Sequence, residues 1–331
     1  MSRRARYRRI GVVGAGAYGT ALALAAARAG RDVRLWARDA ATIEAVAQRR
    51  QTPRLPGVDL SQAIETTSSL AALADCDALI VAVPTQALRS ACENLAVALP
   101  PRVPVISAAK GIEQASGHFA TEIIELAWPG ATAAILSGPS FAADIGRGLP
   151  TAVTLAAGDP DLAQALAEAL SSPAFRIYHS DDPRGVEIGG AAKNVLAIAA
   201  GIAIGLGFGE SARAALVARG FAELRRFGEA YGGGAETLMG LSGLGDVVLS
   251  CASPQSRNFS YGLALGQGRS SAEAAGGKLA EGAFTAPILV EMARAKRVET
   301  PIAEAVAAII AGDVGVRDAV AALLARPIRA E

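Results

Sequence analysis

The chain has 331 residues, 51% of them hydrophobic and 36 of them glycine, which is enough apolar material for two cores rather than one. Its formal charge of +1 gives no general pull toward nucleic acid or an anionic membrane, so anions must be recognised by a local site and the expected partner is a small molecule. Cys76, Cys92 and Cys251 are widely spaced and form neither a CxxC nor a metal-finger pattern, which argues against a disulfide framework and fits a reducing, cytoplasmic location.

The start of the chain, Arg3 to Arg9 and then an apolar run, has the outline of a secretory signal. Gly14, Gly16 and Gly19 interrupt it where a signal's apolar region is continuous. Beyond it, short β-branched runs alternate with alanine-rich helical segments: Ile10–Val13, Val33–Trp36, Leu79–Val83, Val103–Ser107, Ala133–Leu136 and Ala152–Leu155. Nearly continuous apolar strands joined by helices predict a parallel sheet covered on both faces. After His179 the strand pattern stops. From Pro183 the sequence reads as helices, broken by glycine at 232–234 and 276–277, with Pro301 opening a last helix. The expected architecture is a Rossmann-like, doubly wound α/β domain over 1–182, followed by an all-helical domain over 183–331.

Gly14-Ala15-Gly16-Ala17-Tyr18-Gly19 directly follows the first strand and opens the first helix, the context that makes a GxGxxG a dinucleotide fingerprint. Gly14 permits the tight turn, Gly16 lets a pyrophosphate approach the backbone, and Gly19 lets helix pack on strand. The helix N-terminus is then left to hold phosphate. The second strand ends in Ala37-Arg38-Asp39. Arg38 suits the 2′-phosphate of NADP and Asp39 the ribose hydroxyls of NAD, so either cofactor is open, with NADP favoured.

Leu79–Val83 runs into Pro84-Thr85-Gln86, and Val103–Ser107 into Ala108-Ala109-Lys110-Gly111. Both ends lie on the carboxyl edge of the sheet, where ligands of doubly wound folds bind. Lys110 stands out for a second reason: of 32 basic residues only Lys110, Lys193, Lys278 and Lys296 are lysine, and arginine cannot replace a titratable amine.

Lys193 lies in Gly189-Gly190-Ala191-Ala192-Lys193-Asn194, leading into the apolar run Val195–Phe208. Surrounded by small and apolar residues, its amine is expected to be partly desolvated and able to serve as the proton donor that ketone reduction requires. Asn194 can orient a substrate hydroxyl. The apolar run covers only about two-thirds of the roughly 20 residues that span a bilayer, so a buried helix is expected. Its Gly201 and Gly205, four apart, let another helix approach closely, inside the chain or across a homodimer.

Met239-Gly240-Leu241-Ser242-Gly243-Leu244-Gly245-Asp246 is a second glycine-rich loop, whose Asp246 can accept from Lys193 or from a substrate hydroxyl. Ser253-Pro254-Gln255-Ser256-Arg257-Asn258 reads as a helix entry carrying an arginine, an arrangement that holds phosphate by backbone N–H groups and a guanidinium fork. His118 and His179 have no plausible triad or metal partners in the sequence and are read as structural. No metal or serine-nucleophile motif is visible.

Together these segments resemble the NAD(P)-dependent glycerol-3-phosphate dehydrogenases of the bacterial type over nearly the whole chain. The likeness rests on the fingerprint, Lys110-Gly111, Ser137-Gly138-Pro139-Ser140-Phe141-Ala142, Lys193-Asn194, Gly243-Leu244-Gly245-Asp246, Ser256-Arg257-Asn258 and Glu281-Gly282, in the family's order and approximate spacing. It implies interconversion of dihydroxyacetone phosphate and sn-glycerol 3-phosphate with NADPH or NADH, supplying glycerophospholipid synthesis. Position by position, it implies that Lys193 is the proton donor and acceptor and that Lys110 contacts substrate and cofactor. Gly138, Ser140, Asn194, Asp246, Ser256 and Asn258 would line the substrate, with Arg257 holding phosphate and reaching the dinucleotide. Gly14, Gly16, Ala17, Tyr18, Gly19, Arg38, Ala142, Leu279 and Glu281 would lie beside the cofactor.

Three places depart from the family's usual pattern: Ala17-Tyr18 where serine and tryptophan are frequent, Arg54 where an aromatic is frequent, and Asp144 where glutamate is usual. The competing readings are another two-domain β-hydroxyacid or phosphogluconate dehydrogenase, and a non-catalytic dinucleotide sensor. The Ser256-Arg257-Asn258 phosphate site and Asp246 favour a triose phosphate over the first, and Lys193 with Asn194 and Asp246 argues against the second.

Overall fold

The computed structural model describes residues 7–277 and 279–327, so the first six residues of the signal-like start and Lys278 lie outside the described residues. Eight strands form one sheet: β1 Arg9–Val13, β2 Asp32–Trp36, β3 Ile64–Thr67, β4 Ala78–Val81, β5 Pro104–Ser107, β6 Thr132–Ser137, β7 Thr151–Ala157 and β8 Phe175–Ser180. Their spatial order is β3-β2-β1-β4-β5-β6-β7-β8. Every neighbouring pair is parallel except β6 with β7, which runs antiparallel and departs from the uniformly parallel sheet expected. Six helices accompany the sheet: α1 Ala17–Arg28, α2 Ala40–Arg49, α3 Leu88–Ala98, α4 Ala120–Ala127, α5 Ala142–Arg147 and α6 Pro160–Leu170.

The period of two along a strand explains the double cover. Ile10, Val12, Ile80, Ile106, Ala134 and Leu136 point to the face packed with Leu22, Val46, Ile145 and Leu166. Val13, Leu79, Val81, Val105, Ala133 and Ile135 point to the face packed with Leu88, Cys92, Leu95, Ile123 and Ile124. β3 and β8 escaped the sequence reading because both are edge strands: β3 is four residues with one buried side chain, and β8 buries only Phe175 and Ile177, alternating with exposed Arg176 and Tyr178.

The remaining elements are helical: α7 Pro183–Gly205, α8 Glu210–Ala230, α9 Ala235–Met239, a π-helical turn Leu241–Gly245, α10 Asp246–Ala252, α11 Arg257–Gly266, α12 Ser271–Ala275, α13 Glu281–Ala295, α14 Pro301–Ala311 and α15 Val316–Leu324. Gly232 and Gly276, both at positive φ, follow α8 and α12, and Pro301 is the first residue of α14. The chain divides into two compact units, Met1–Lys110 with His118–Glu187, and Gly111–Gly117 with Ile188–Glu331.

The helix α7 starts twelve residues before the apolar run that announces it, because its first half carries Glu187, Lys193 and Asn194. At 23 residues it is long and apolar enough to cross a bilayer, yet 89% of its most apolar stretch is buried within the protein. Its glycines meet α11. A Cβ on Gly201 would sit 2.1 Å from the Phe259 carbonyl oxygen, and one on Gly262 2.0 Å from that of Ile198. The backbones of α7 and α11 therefore touch through Gly201, Gly205, Gly262 and Gly266. This close approach is used inside the chain, which removes it as an argument for a second copy.

Candidate functional site in two units

In the α/β unit, β1 lies between β2 and β4, the point where the strand order changes direction and where doubly wound folds take ligands. Gly14 leaves β1 at φ 112°, and a Cβ there would meet the Ala82 carbonyl oxygen at 2.7 Å. Gly19 is needed for packing, since its Cβ would fall 1.8 Å from the Gly14 carbonyl oxygen. Gly16 differs from both: nothing lies within 4 Å of its Cβ position. It precedes α1 with no side-chain cap, and the first turn of α1 carries no acidic residue. An open backbone at the positive end of an uncapped helix fits a pyrophosphate.

Beyond β2, Arg38 is exposed and has no hydrogen-bond or ion-pair partner among the described residues. Asp39 has another task. One carboxylate oxygen accepts from Ala41 N at 3.2 Å and the other from the Thr42 hydroxyl, so it caps α2. The Thr42 bond, followed by the backbone bonds, holds its carboxyl below the usual range. Of the two readings of this loop, the structure leaves Arg38 available to an incoming anion and commits Asp39 to the helix.

Lys110, three residues past β5, donates from Nζ to the Gly138 carbonyl oxygen at 2.8 Å. The Ser140 hydroxyl donates to the same oxygen at 2.8 Å, and Tyr18 Oη lies 2.8 Å from Ser140 Oγ. The backbone at Gly138 adopts φ 142°, and a Cβ would meet Val153 Cα at 2.9 Å. Ala17 and Ala142 open α1 and α5.

In the helical unit, Lys193 is 8% exposed and lies on α7. Its Nζ donates to Asp246 Oδ1 at 2.8 Å and to Ser250 Oγ at 2.7 Å, while Ser250 donates to the same Asp246 oxygen at 3.1 Å. Asp246 is 1% exposed, so a buried ammonium is matched by a buried carboxylate, the condition under which such a charge is tolerated. Local backbone sets this geometry. The π-helical turn Leu241–Gly245 delivers Asp246, and a Cβ on Gly189 would collide with the Ser242 carbonyl oxygen at 2.7 Å, so glycine lets α7 lie against the turn one helical turn before Lys193.

A second network sits beside it. Asn258 donates from Nδ2 to Asn194 Oδ1 at 2.8 Å and accepts from Gly282 N at 2.9 Å, while Asn194 Nδ2 donates to the Gly190 carbonyl oxygen at 3.4 Å. Ser256 caps α11, accepting from Phe259 N at 3.3 Å, and Arg257 is its exposed first residue, with no partner among the described residues. Leu279 and Glu281 are half-buried around the start of α13.

Ser250 was missed in the sequence, although it stands four residues after Asp246 and so on the same helical face. Burial pushes the Cys251 thiol beside this cluster up to about 12, which keeps it protonated and inert. A cavity of about 970 Å³ in the same unit, lined by Ile202, Leu216, Ile302 and Val306 among others, contains none of the site residues. Volume alone does not mark the site; the buried charges do. Among the described residues no group of three or more His, Cys, Asp or Glu is arranged to hold a metal.

The comparisons with known proteins agree over the full length. Residues 9–163 match the NAD-dependent glycerol-3-phosphate dehydrogenase N-terminus and residues 182–321 the corresponding C-terminus. The chain belongs to the NAD-dependent glycerol-3-phosphate dehydrogenase family. It is 59% identical over 326 residues, 98% of this chain and 99% of the relative, to the glycerol-3-phosphate dehydrogenase (NAD(P)+) of Bradyrhizobium sp. (strain ORS 278). It is 59% identical over 324 residues to that of Methylobacterium radiotolerans, covering 97% of this chain and 98% of the relative. The crystal structure of glycerol-3-phosphate dehydrogenase from Coxiella burnetii superposes with a TM-score of 0.91 at 36% identity, covering 97% of this chain and 99% of that one. Membership displaces the hydroxyacid dehydrogenase and sensor readings.

Proposed function

We propose that the protein reduces dihydroxyacetone phosphate to sn-glycerol 3-phosphate, reversibly, with NADPH or NADH, and that it supplies glycerophospholipid synthesis from the cytoplasm as a homodimer. The observation that carries this reading is the buried Lys193–Asp246 pair in a chain so similar, end to end, to enzymes named for that reaction. Residues 1–182 serve as the dinucleotide-binding domain and 183–331 as the substrate domain.

The bound dinucleotide supplies the hydride. Gly14, Gly16, Ala17, Tyr18 and Gly19 cradle its pyrophosphate at α1, Arg38 meets the 2′-phosphate when NADP is used, and Ala142, Leu279 and Glu281 border it. Lys193 carries the proton. As negative charge grows on the keto oxygen of the substrate, its ammonium neutralises that charge and passes one proton to it, leaving a neutral amine that solvent reprotonates. Asp246 and Ser250 hold the amine in place through the bonds described above. Arg257 and Ser256 take the phosphate at the start of α11, where a planar fork matches it with two bonds. Asn194 and Asn258 fix the remaining polar groups of the substrate, and Lys110, Gly138 and Ser140 also serve it.

The test is oxidation of NADPH and of NADH, followed by absorbance, with dihydroxyacetone phosphate as substrate. Turnover that depends on the triose phosphate is expected. Oxidation driven by β-keto acids and not by dihydroxyacetone phosphate would overturn the assignment, and sedimentation equilibrium showing only monomer would remove the dimer.

A further inference from the structure

Tyr18 closes a ring of contacts in the α/β unit. Its hydroxyl lies 2.8 Å from Ser140 Oγ, and the Lys110 ammonium stands 5.6 Å from the centre of its aromatic ring. Ser140 and Lys110 in turn converge on the Gly138 carbonyl oxygen, each at 2.8 Å. Three separate segments, the first turn of α1, the segment after β5 and the segment after β6, are thereby fixed to one another.

Counting protons and lone pairs gives this ring a direction. A serine hydroxyl has one proton and two lone pairs. The Ser140 proton goes to the Gly138 carbonyl, which can only accept, so Tyr18 must be the donor in the pair it makes with Ser140. Ser140 is left with one lone pair and no proton. It can therefore meet a ligand only as an acceptor, and the one donor that an ionised keto-triose phosphate carries is its free hydroxyl.

We propose that Tyr18 is a positioning residue that determines specificity: by donating to Ser140 and lying under Lys110, it presents Ser140 as an acceptor for the free hydroxyl of a keto-triose phosphate. The proposal rests on the reading above, in which Ser140 and Lys110 face the substrate. Phenylalanine would keep the ring beneath Lys110 and remove the donor. Ser140 could then turn its own proton or its lone pair toward the ligand, and the preference for a hydroxyl would relax.

The experiment compares wild type with Tyr18→Phe on two substrates, dihydroxyacetone phosphate and the analogue in which its free hydroxymethyl group is a methyl, and measures NADPH affinity for both proteins by fluorescence titration. Wild type should prefer the hydroxylated substrate in kcat/KM. Tyr18→Phe should narrow that preference about threefold to tenfold, the fold-change that a neutral hydrogen bond is worth, with KM for dihydroxyacetone phosphate raised; because Tyr18 also borders the dinucleotide, both proteins are compared at NADPH concentrations that saturate each. In a double-mutant cycle, Tyr18→Phe should add nothing to Ser140→Ala, because its effect passes through that hydroxyl. An unchanged preference, additive effects, or a loss of NADPH affinity that accounts for the whole change would each overturn the proposal. A wild type inactive on dihydroxyacetone phosphate would defeat the underlying reading, and the positioning role with it, and that outcome is visible before any variant is made.

Discussion

Lys193 combines three properties that a proton donor needs: it is buried, it is fixed at two points, and its charge is compensated by Asp246. Lys296, by contrast, is exposed and rests over the Tyr231 ring at 5.2 Å. Lys193→Ala should therefore lose roughly 10²–10⁴-fold in turnover, the usual contribution of a general acid, with NADPH affinity near wild type. Lys193→Arg should fail almost as badly, since a guanidinium holds its proton at neutral pH. Lys296→Ala should stay active. Steady-state rates at saturating substrate decide the matter: more than about a tenth of wild-type turnover in Lys193→Ala would move the proton to another residue or to water. Much of this cluster was legible in sequence because glycine-rich segments and scarce lysines are visible one residue at a time. Ser250 was not, because a serine in a helix carries no mark until its neighbour four residues back has a role. The task of Asp39 was equally hidden: the same Asp that suits a ribose also suits an N-cap, and only the Thr42 and Ala41 bonds decide between them.

At the scale of elements, glycine contact and helix capping each yield an expectation. A Cβ on Gly262 would stand 2.0 Å from the Ile198 carbonyl oxygen, where neither backbone can give way cheaply, whereas nothing lies within 4 Å of the Cβ position at Gly158. Gly262→Ala should lower stability by about 1–3 kcal/mol or more, the cost of overpacking, and Gly158→Ala should be close to neutral. Chemical denaturation of both variants measures the gap; equal midpoints would mean that α7 and α11 do not meet through their glycines. Capping gives a pH signature. Glu223 on α8 accepts from Ile302 N at 3.0 Å and from Ala303 N at 3.4 Å, capping α14 from a distance. Burial pushes its carboxyl from 4.5 up to about 7, against those backbone bonds, which lower it. Because the folded value is the higher one, the stability this group contributes is complete below the unfolded value and lost as pH rises through about 7. Glutamine keeps the accepting oxygen and cannot ionise. Glu223→Gln should thus gain in melting temperature relative to wild type between about pH 5 and about pH 8.5, and a difference that stays constant across that range would refute the buried charge. Sequence showed the strands of the sheet interior, whose runs are apolar on both faces, and lost the edge strands β3 and β8, which are half polar. It also missed the reversal of β7, because strand direction leaves no trace in composition.

Over the whole molecule, the near-zero net charge leaves cofactor choice to local cations, and Arg38 is the one placed past β2 with no partner of its own among the described residues. Binding to the folded chain alone raises its stability by mass action, about 2.7 kcal/mol when ligand stands a hundredfold above Kd. For domains of this size each kcal/mol shifts the melting temperature by about 2–4 °C, so a shift of roughly 5–10 °C is expected with saturating NADPH. Arg38→Ala should remove about 1–2 kcal/mol of NADPH binding, the lower part of the range for a charge-assisted bond because the side chain is exposed and screened, and should leave the NADH shift in place. Lys193→Ala should keep both shifts, as the proposed role of its amine, on the substrate and not on the dinucleotide, requires. Thermal melts of the three proteins with each cofactor separate these roles without any turnover. Equal losses for NADPH and NADH in Arg38→Ala would show that the guanidinium does not read the 2′-phosphate. A lost NADPH shift in Lys193→Ala would show that the helical unit's lysine belongs to the cofactor rather than to the proton transfer.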